Sequence, residues 1–355
     1  MRPSPFPPAI HGRRDFLKLG SACAAHMALM ATPFPAAAQA LWSNRAYGQV
    51  VARESFGRLE SVGEGLWAFI STPLDGDYTT VCNGGIIAGR SGVMVVEAFQ
   101  TPEGARWVAE KARELTGRWP THVLVTHYHG DHTGGVEGLD PEPEAGPESR
   151  PALHVTPTTR ELKNKSLPAE TPESSRRLWA DVVLMQEDGT GSIDLGARTV
   201  NLVPRLGHTA SDVTIDLPEE DIMWCGDLVW NGMFPNYMDA IPSRLSRAVR
   251  ALQGTGRAVY VPGHGPLAGT QDFTRYVAVI DGLEETARRA RSEGWTAEEA
   301  GARHQIPAEL GEWTLFNPTY FQRAVEAWMR EWENVESGRG GEPPRPLPSP
   351  GRSRV

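Results

Sequence analysis

Four side chains that can bind metal ions stand close together in the run THYHGDHTGG, residues 126–135. They are three histidines and one aspartate, namely His127, His129, Asp131 and His132. An apolar run that is typical of a buried strand precedes them directly. Burying so many imidazole and carboxylate groups beside it would cost free energy unless they had polar partners. Divalent metals of borderline softness accept this set of ligands. The run therefore predicts a metal site.

Three further residues of the same kind follow later in the chain, and each comes directly after a glycine. They are His208, Asp227 and His264. One histidine or aspartate after a strand is most often a turn residue or a cap. The run at residues 126–135 and these three later positions together favour a single shared metal site instead. The remaining histidines of the predicted mature chain are expected to be structural or surface residues: His122, His154 and His304.

Short apolar runs that are typical of β-strands lead into these pieces. They cover residues 122–126, 198–204, 212–217, 221–225 and 257–261. Other strands are predicted at 66–70, 85–88 and 93–96, and a helix is predicted over 102–116. After Thr270 the pattern becomes helical and amphipathic. We therefore predict one α/β domain with two sheets between helical layers, followed by a C-terminal helical extension.

These motifs resemble those of the metallo-β-lactamase superfamily, and the resemblance covers roughly residues 58–270. It implies an αββα sandwich with two metal ions at one edge, between the sheets. By this resemblance His127, His129 and His208 would hold the first metal. Asp131, His132 and His264 would hold the second, and Asp227 would bridge the two. Zinc is the expected ion, since every ligand is a histidine or a carboxylate, with iron or manganese as alternatives.

The resemblance also implies the chemistry. Two zinc ions would supply a hydroxide near neutral pH and polarise the bond under attack, and Asp131 would orient that hydroxide and accept its proton. The complete seven-ligand set is most similar to glyoxalase II and its relatives among thioesterases, lactonases and esterases. We expect a hydrolase of an ester, thioester, lactone or amide. The alternatives are an iron-dependent redox enzyme, or an accessory protein of a periplasmic sulfur or quinoprotein oxidation system.

A β-lactamase is a further alternative, which two positions argue against. In members with a cysteine ligand, that cysteine takes the place of Asp227, and a lysine three residues later binds the substrate carboxylate. In this chain the position of that lysine is occupied by Trp230. The loop after Asp227 is rich in aromatic residues and could form a substrate pocket, with these residues in its wall: Trp230, Asn231, Phe234 and Tyr237. Packing of the loop against the C-terminal helices is the equal alternative.

The N-terminus resembles a twin-arginine export signal, with Arg13-Arg14 before Phe-Leu-Lys, a short apolar stretch and a small-residue cleavage site after Ala40. This predicts export to the periplasm by the twin-arginine translocase, followed by cleavage of the leader. The predicted organisation is a signal peptide (1–40), a connector (41–57), the catalytic domain (58–270), the helical extension (271–336) and a disordered tail (337–355).

Composition limits the partners. The formal net charge is −9, and the chain is still more acidic without its first forty residues. An acidic body without a long basic run argues against nucleic acid as a partner, and the leader is too short and too interrupted by proline for a membrane anchor. A small-molecule substrate is expected. Cys82 and Cys225 lie in apolar runs and are expected to be buried free thiols.

Overall fold

The computed structural model describes residues 48–141, 150–167, 171 and 173–337. The predicted signal peptide, the first seven residues of the predicted connector and the predicted tail beyond Ser337 lie outside the described residues. No helix in the described ranges has both the length and the apolar character that a membrane span requires.

Eight strands form the first sheet in chain order. They are β1 (Gln49–Glu54), β2 (Gly57–Gly63), β3 (Leu66–Ser71), β4 (Gly84–Ala88), β5 (Val93–Val96), β6 (His122–Leu124), β7 (Ala152–Val155) and β8 (Val183–Leu184). Neighbours are antiparallel up to β5 and parallel from β5 to β8. The first strand lies inside the predicted connector and pairs with β2, so the sheet begins before residue 58.

Four helices lie among the later strands of this sheet: α1 (Pro102–Thr116), α2 (Gly130–Thr133), α3 (Pro157–Ser166) and α4 (Glu173–Ala180). The first of them has the bounds that the sequence predicts. The Thr101 side chain accepts a hydrogen bond from the amide of Gly104, and Gly117 ends the helix in the left-handed region at φ 74°. This helix is the crossover that parallel pairing of β5 and β6 requires.

The second sheet has five strands in the order β13-β12-β11-β10-β9. They are β9 (Gly191–Asp194), β10 (Thr199–Pro204), β11 (Val213–Leu217), β12 (Ile222–Trp230) and β13 (Val259–His264). Only β12 and β13 are parallel, and α5 (Pro242–Gln253) connects them. The chain continues through α6 (Thr270–Glu293), α7 (Ala297–Arg303) and α8 (Tyr320–Glu336).

Three apolar clusters hold these layers together. One lies between the two sheets and includes Met94 of β5 and Ile215 of β11. A second packs α1 against the outer face of the first sheet. The third packs β12 against α5, α6 and α8, so the C-terminal helices share a core with the second sheet. The layers therefore run helix, sheet, sheet, helix, which confirms the predicted αββα fold class.

Candidate metal centre

The seven predicted metal ligands come together at one edge of the sandwich, in two adjacent groups. The members of each group offer atoms that all lie within 4.8 Å of one another. One group contains His127, His129, His208 and Asp227, and the other contains Asp131, His132 and His264. All seven are buried. The chain thus concentrates imidazole and carboxylate groups at a single point, as a metal site requires.

The connections after the strands carry most of these residues. The motif follows β6, and its last two ligands, Asp131 and His132, lie in the short helix α2. His208 follows β10, and His264 is the last residue of β13. The sequence placed Asp227 after the end of its strand, which is wrong, because β12 continues to Trp230.

An irregularity in β12 explains how a residue inside the strand reaches the site. The pairing register with β13 shifts on both sides of Gly226, whose φ is 52°. Such a bulge turns the next side chain out of the regular alternation of the strand. A Cβ at Gly226 would lie 2.7 Å from Thr126 Oγ1, so glycine also allows the first motif to approach closely.

Asp227 lies between the two groups and directs one carboxylate oxygen to each. Its Oδ2 is 3.3 Å from Nε2 of His208 and 3.9 Å from Nε2 of His127. Its Oδ1 is 3.1 Å from Nε2 of His132 and 3.4 Å from Nε2 of His264. A carboxylate in this position can be shared by two cations.

Several buried polar atoms at this point have no hydrogen-bond partner among the described residues. Among them are Nε2 of His132, Nε2 of His264 and Oδ1 of Asp227. Buried polar atoms normally have partners, and these three lie near one another without the alignment of a hydrogen bond. A cation between them would satisfy all three. The residues present therefore fit a divalent metal, and the donor set suits zinc.

The electrostatics of the centre agree with this fit. Burial lowers the pKa of His208 to about 3, and the pKa of His127 lies well below its usual value for the same reason. Burial would also lower the pKa of His264, but the carboxylates of Asp227 and Asp131 raise it to about 9. Neighbouring histidines hold the pKa of both aspartates well below the usual range despite their burial. His127 and His208 are therefore held as neutral electron-pair donors, whereas the carboxylates of Asp227 and Asp131 favour positive charge beside His264.

A hydrogen-bond chain behind the motif fixes the ring of His127. Thr126 Oγ1 donates to Glu97 Oε1 at 2.6 Å, so it can only accept from Nδ1 of His127, 3.0 Å away. This leaves Nε2 of His127 as the free electron-pair donor that faces the site. Glu97 Oε1 also lies 3.0 Å from Nδ1 of His132. Sequence reasoning missed Glu97, which lies 29 residues before Thr126 in the chain.

Asp239 is a second residue that sequence reasoning missed. Its Oδ2 accepts hydrogen bonds from Nε2 of His129 at 3.0 Å and from the hydroxyl of Tyr128 at 2.5 Å. Burial would raise the pKa of Asp239, but these two bonds and the charge of His129 lower it to about 2. With Nε2 of His129 engaged, Nδ1 remains to face His127 and His208, at 3.0 and 3.1 Å. Metal-bound histidines usually have such a carboxylate partner.

The residues predicted for a substrate pocket lie in the core. Trp230, Asn231, Phe234 and Tyr237 are each no more than 6% exposed. The Trp230 ring lies against His264 with centroids 4.1 Å apart, and Asn231 donates to the carbonyls of Pro266 and Leu267. The other two pack with the C-terminal helices. This is the arrangement expected from the packing interpretation of the loop, and it leaves little surface for a substrate to contact.

The histidines predicted to be structural stay outside the two groups. Nδ1 of His122 and Nε2 of His154 lie 3.0 Å apart on neighbouring strands. Nδ1 of His304 lies 2.8 Å from the hydroxyl of Thr286 in α6. Cys82 and Cys225 are buried free thiols, and burial raises the pKa of Cys82 to about 12, so its thiol is protonated.

Fold and site together define a four-layer αββα sandwich with a pair of adjacent metal-binding groups at one edge of the two sheets. The family model described as "Metallo-beta-lactamase superfamily" matches residues 77–264, which hold every predicted ligand. The chain therefore belongs to the metallo-β-lactamase superfamily, and it is an enzyme of the metallo-hydrolase type.

Relatives of known name are 25 to 30% identical to this chain over the residues that align. The chain is 30% identical to 2,4-dinitroanisole O-demethylase subunit alpha of Nocardioides sp. (strain JS1661), over 54% of each chain. It is 25% identical to hydroxyacylglutathione hydrolase of Rhodospirillum rubrum, over 62% of this chain and 75% of that protein. It is 27% identical to atrochrysone carboxyl ACP thioesterase of Aspergillus fumigatus, over 49% and 36%. The first relatives are matched over only about half of their length.

Solved structures agree on the fold. The sec-alkylsulfatase Pisa1 from Pseudomonas sp. is similar with a TM-score of 0.58 and 19% identity, over 75% of this chain and 49% of that one. A metallo-β-lactamase from Erythrobacter litoralis is similar with a TM-score of 0.51 and 20% identity, over 65% and 98%. At these identities the likeness concerns the backbone arrangement alone.

Proposed function

We propose that this protein is an exported hydrolase that uses two zinc ions to cleave an ester, thioester, lactone or amide. The observation that carries the proposal is the position of Asp227, whose two oxygens face the two ligand groups at 3.1 to 3.9 Å. A shared carboxylate of this kind supports two adjacent cations rather than one.

When bound, two zinc ions supply hydroxide near neutral pH and polarise the oxygen of the bond under attack. One ion would be held by His127, His129 and His208, and the other by Asp131, His132 and His264. Asp227 would be shared by both ions. Of the seven residues, His129 and Asp131 are the most exposed, at 7% and 6%. The substrate would therefore approach on their side of the centre. Asp131 is the residue that would orient the attacking oxygen and accept its proton.

The relatives support acyl substrates. Hydroxyacylglutathione hydrolase and atrochrysone carboxyl ACP thioesterase are both named for thioester cleavage. A β-lactam is a poorer candidate, since the position that would supply a lysine is Trp230, buried against His264. The demethylase relative makes an aryl ether a useful further test compound.

The proposal is tested by metal analysis and a hydrolysis screen on the purified mature chain. We expect two zinc ions per chain and turnover of an aromatic thioester or aryl ester. Asp131→Asn should reduce kcat strongly, by about 100-fold or more, while Asp216→Asn should not, because Asp216 pairs with Arg257 on the second sheet. The screen includes a lactone, a β-lactam and 2,4-dinitroanisole. Iron with visible absorbance, and no hydrolysis in any arm, would replace the proposal with the redox alternative.

Export is proposed on the N-terminal sequence alone. The paired arginines, the short apolar stretch and the small residues before Ala40 support delivery to the periplasm by the twin-arginine translocase. That route carries folded proteins, which suits an enzyme that must acquire its metals before export.

A further inference from the structure

The histidines of the metal centre differ in what surrounds their rings. Three of them have a side-chain oxygen of another residue 3.0 Å from one ring nitrogen: His127, His129 and His132. Nδ1 of His208 and Nδ1 of His264 are buried and have no hydrogen-bond partner in the part of the chain that the structure describes. The His208 ring lies 4.9 Å from the rings of two other ligands, whereas the described ring closest to His264 is an indole.

That indole belongs to Trp230, and the pairing of β12 with β13 explains its position. The ring centroids of Trp230 and His264 are 4.1 Å apart, and the ring planes meet at 36°. Gly226 pairs with Pro262 and Trp230 pairs with His264, so β12 advances four residues while β13 advances two. The irregular stretch of β12 therefore brings both Asp227 and Trp230 beside His264.

A second aromatic ring reaches His264 from the C-terminal part of the chain. The Phe316 ring lies 6.2 Å from the His264 ring at 75°, next to a bridge between Met233 and Thr314. Trp230 and Phe316 are 0% and 4% exposed, so these rings offer a substrate almost no surface. The contact of Trp230 with a metal ligand is thus the feature of this side chain that bears on the chemistry of the centre.

The chemistry of the two rings gives this contact a direction. An imidazole that binds a cation carries part of its positive charge, and the face of an indole attracts positive charge most strongly where water is excluded. Offset aromatic contacts are favourable in themselves. We infer that Trp230 is a positioning residue for His264, and through it for the metal ion held by Asp131, His132 and His264. This inference rests on the proposed two-metal function.

The test is zinc competition on the purified chain, fitted with two binding constants. Trp230→Met keeps an apolar side chain but removes the ring, so zinc binding at the group of His264 should weaken by about tenfold. The constant of the other group should change by less than about threefold. Trp230→Phe keeps a ring and should restore most of the lost affinity. Trp328→Met is the matched control, since Trp328 is a buried tryptophan of the same apolar cluster, and it should leave both constants unchanged.

Fluorinated tryptophan separates the charge of the indole face from its packing. Fluorine keeps the shape of the ring nearly unchanged and weakens the negative potential of its face, which reduces its attraction for a cation. In the native sequence, tryptophans with an increasing number of fluorine atoms should weaken zinc binding at the group of His264 stepwise, by about twofold per fluorine. The same labels in Trp230→Phe should have no such effect. This measurement decides the question even where Trp230→Met fails to fold.

The outcomes separate this inference from the proposed function. Unchanged zinc constants in Trp230→Met, an equal loss at both groups, or a native chain indifferent to fluorination would overturn the role of Trp230. The proposed function would survive each of these results, provided that the native chain binds two zinc ions and hydrolyses an acyl substrate. A native chain that binds no second zinc ion would overturn both.

Discussion

Replacing Asp239 with asparagine would remove the negative charge that holds His129, with almost no change in the shape of the side chain. In the native chain Oδ2 of Asp239 accepts from Nε2 of His129 at 3.0 Å, and the pKa of about 2 means that the carboxylate is ionised at neutral pH. Asparagine can present its carbonyl oxygen to the same atom, but without the charge. The imidazole then becomes a weaker electron-pair donor and is less firmly oriented.

The size of the effect follows from the kind of bond that is lost. A hydrogen bond to a charged group contributes ~1.5–3 kcal/mol, and each ~1.4 kcal/mol changes an equilibrium constant tenfold. We therefore expect Asp239→Asn to weaken zinc binding at the group that contains His129 by about 10- to 100-fold. Tyr128→Phe removes the other hydrogen bond to Oδ2 but keeps the charge, so its effect should be smaller, about tenfold at most.

The assay is zinc competition with a chromophoric chelator, fitted with two binding constants. Affinity at the group of Asp131, His132 and His264 should change by less than about threefold in Asp239→Asn, because the carboxylate of Asp239 accepts hydrogen bonds from His129 and Tyr128. Asp216→Asn is the matched control. Two unchanged zinc constants in Asp239→Asn would refute the idea that this carboxylate orients a metal ligand, and an equal loss at both groups would indicate general disruption instead.

Three further predictions follow from particular residues. Gly263→Ala should lower kcat/KM by about 100-fold, since a Cβ there would lie 1.9 Å from Oδ1 of Asp227 and displace the shared carboxylate; a normal specificity constant would contradict this. The double substitution Arg13→Lys and Arg14→Lys should leave the uncleaved protein in the cytoplasm, checked by fractionation and N-terminal sequencing. An aromatic thioester should exceed a penicillin and a cephalosporin in kcat/KM, because Trp230 offers no cation; β-lactams faster by a hundredfold would favour the antibiotic-resistance interpretation.

The sequence predicted the parts of the site that are local in the chain. The run from His127 to His132 was recognisable because four potential metal ligands fall within six residues after an apolar strand. The fold class was also accessible, since alternating strands and helices around two sets of motifs restrict the layer arrangement. Helix α1 was predicted to the residue because Pro102 and Gly117 mark its two ends.

What the sequence did not reveal depends on contacts between distant parts of the chain. Asp239 lies 110 residues from His129, and no local pattern distinguishes it from other loop aspartates. The aromatic loop after Asp227 was ambiguous because aromatic residues suit cores and pockets equally. Burial of Phe234 and Tyr237 against the C-terminal helices could only be known once the position of those helices was known.

A further contact of this kind joins the two sheets beside the centre. Asn83, directly before β4 of the first sheet, donates from Nδ2 to the carbonyls of Pro262 and Gly265, at 2.9 and 2.7 Å. The backbone N–H of Asn83 donates to the carbonyl of Gly263, with 2.7 Å between nitrogen and oxygen. Three hydrogen bonds from one buried residue thus hold the loop around His264 against the first sheet.

The division of ligands between the sheets explains why such a contact matters. The motif that follows β6 of the first sheet supplies His127 and His129 to one group and Asp131 and His132 to the other. The second sheet completes both groups, so neither sheet carries a full set of ligands. Binding at either group therefore requires the sheets to be packed in register, and a bound metal stabilises that packing in turn. Metal affinity and the stability of the sandwich are in this way coupled, through the contacts that pack the two sheets face to face.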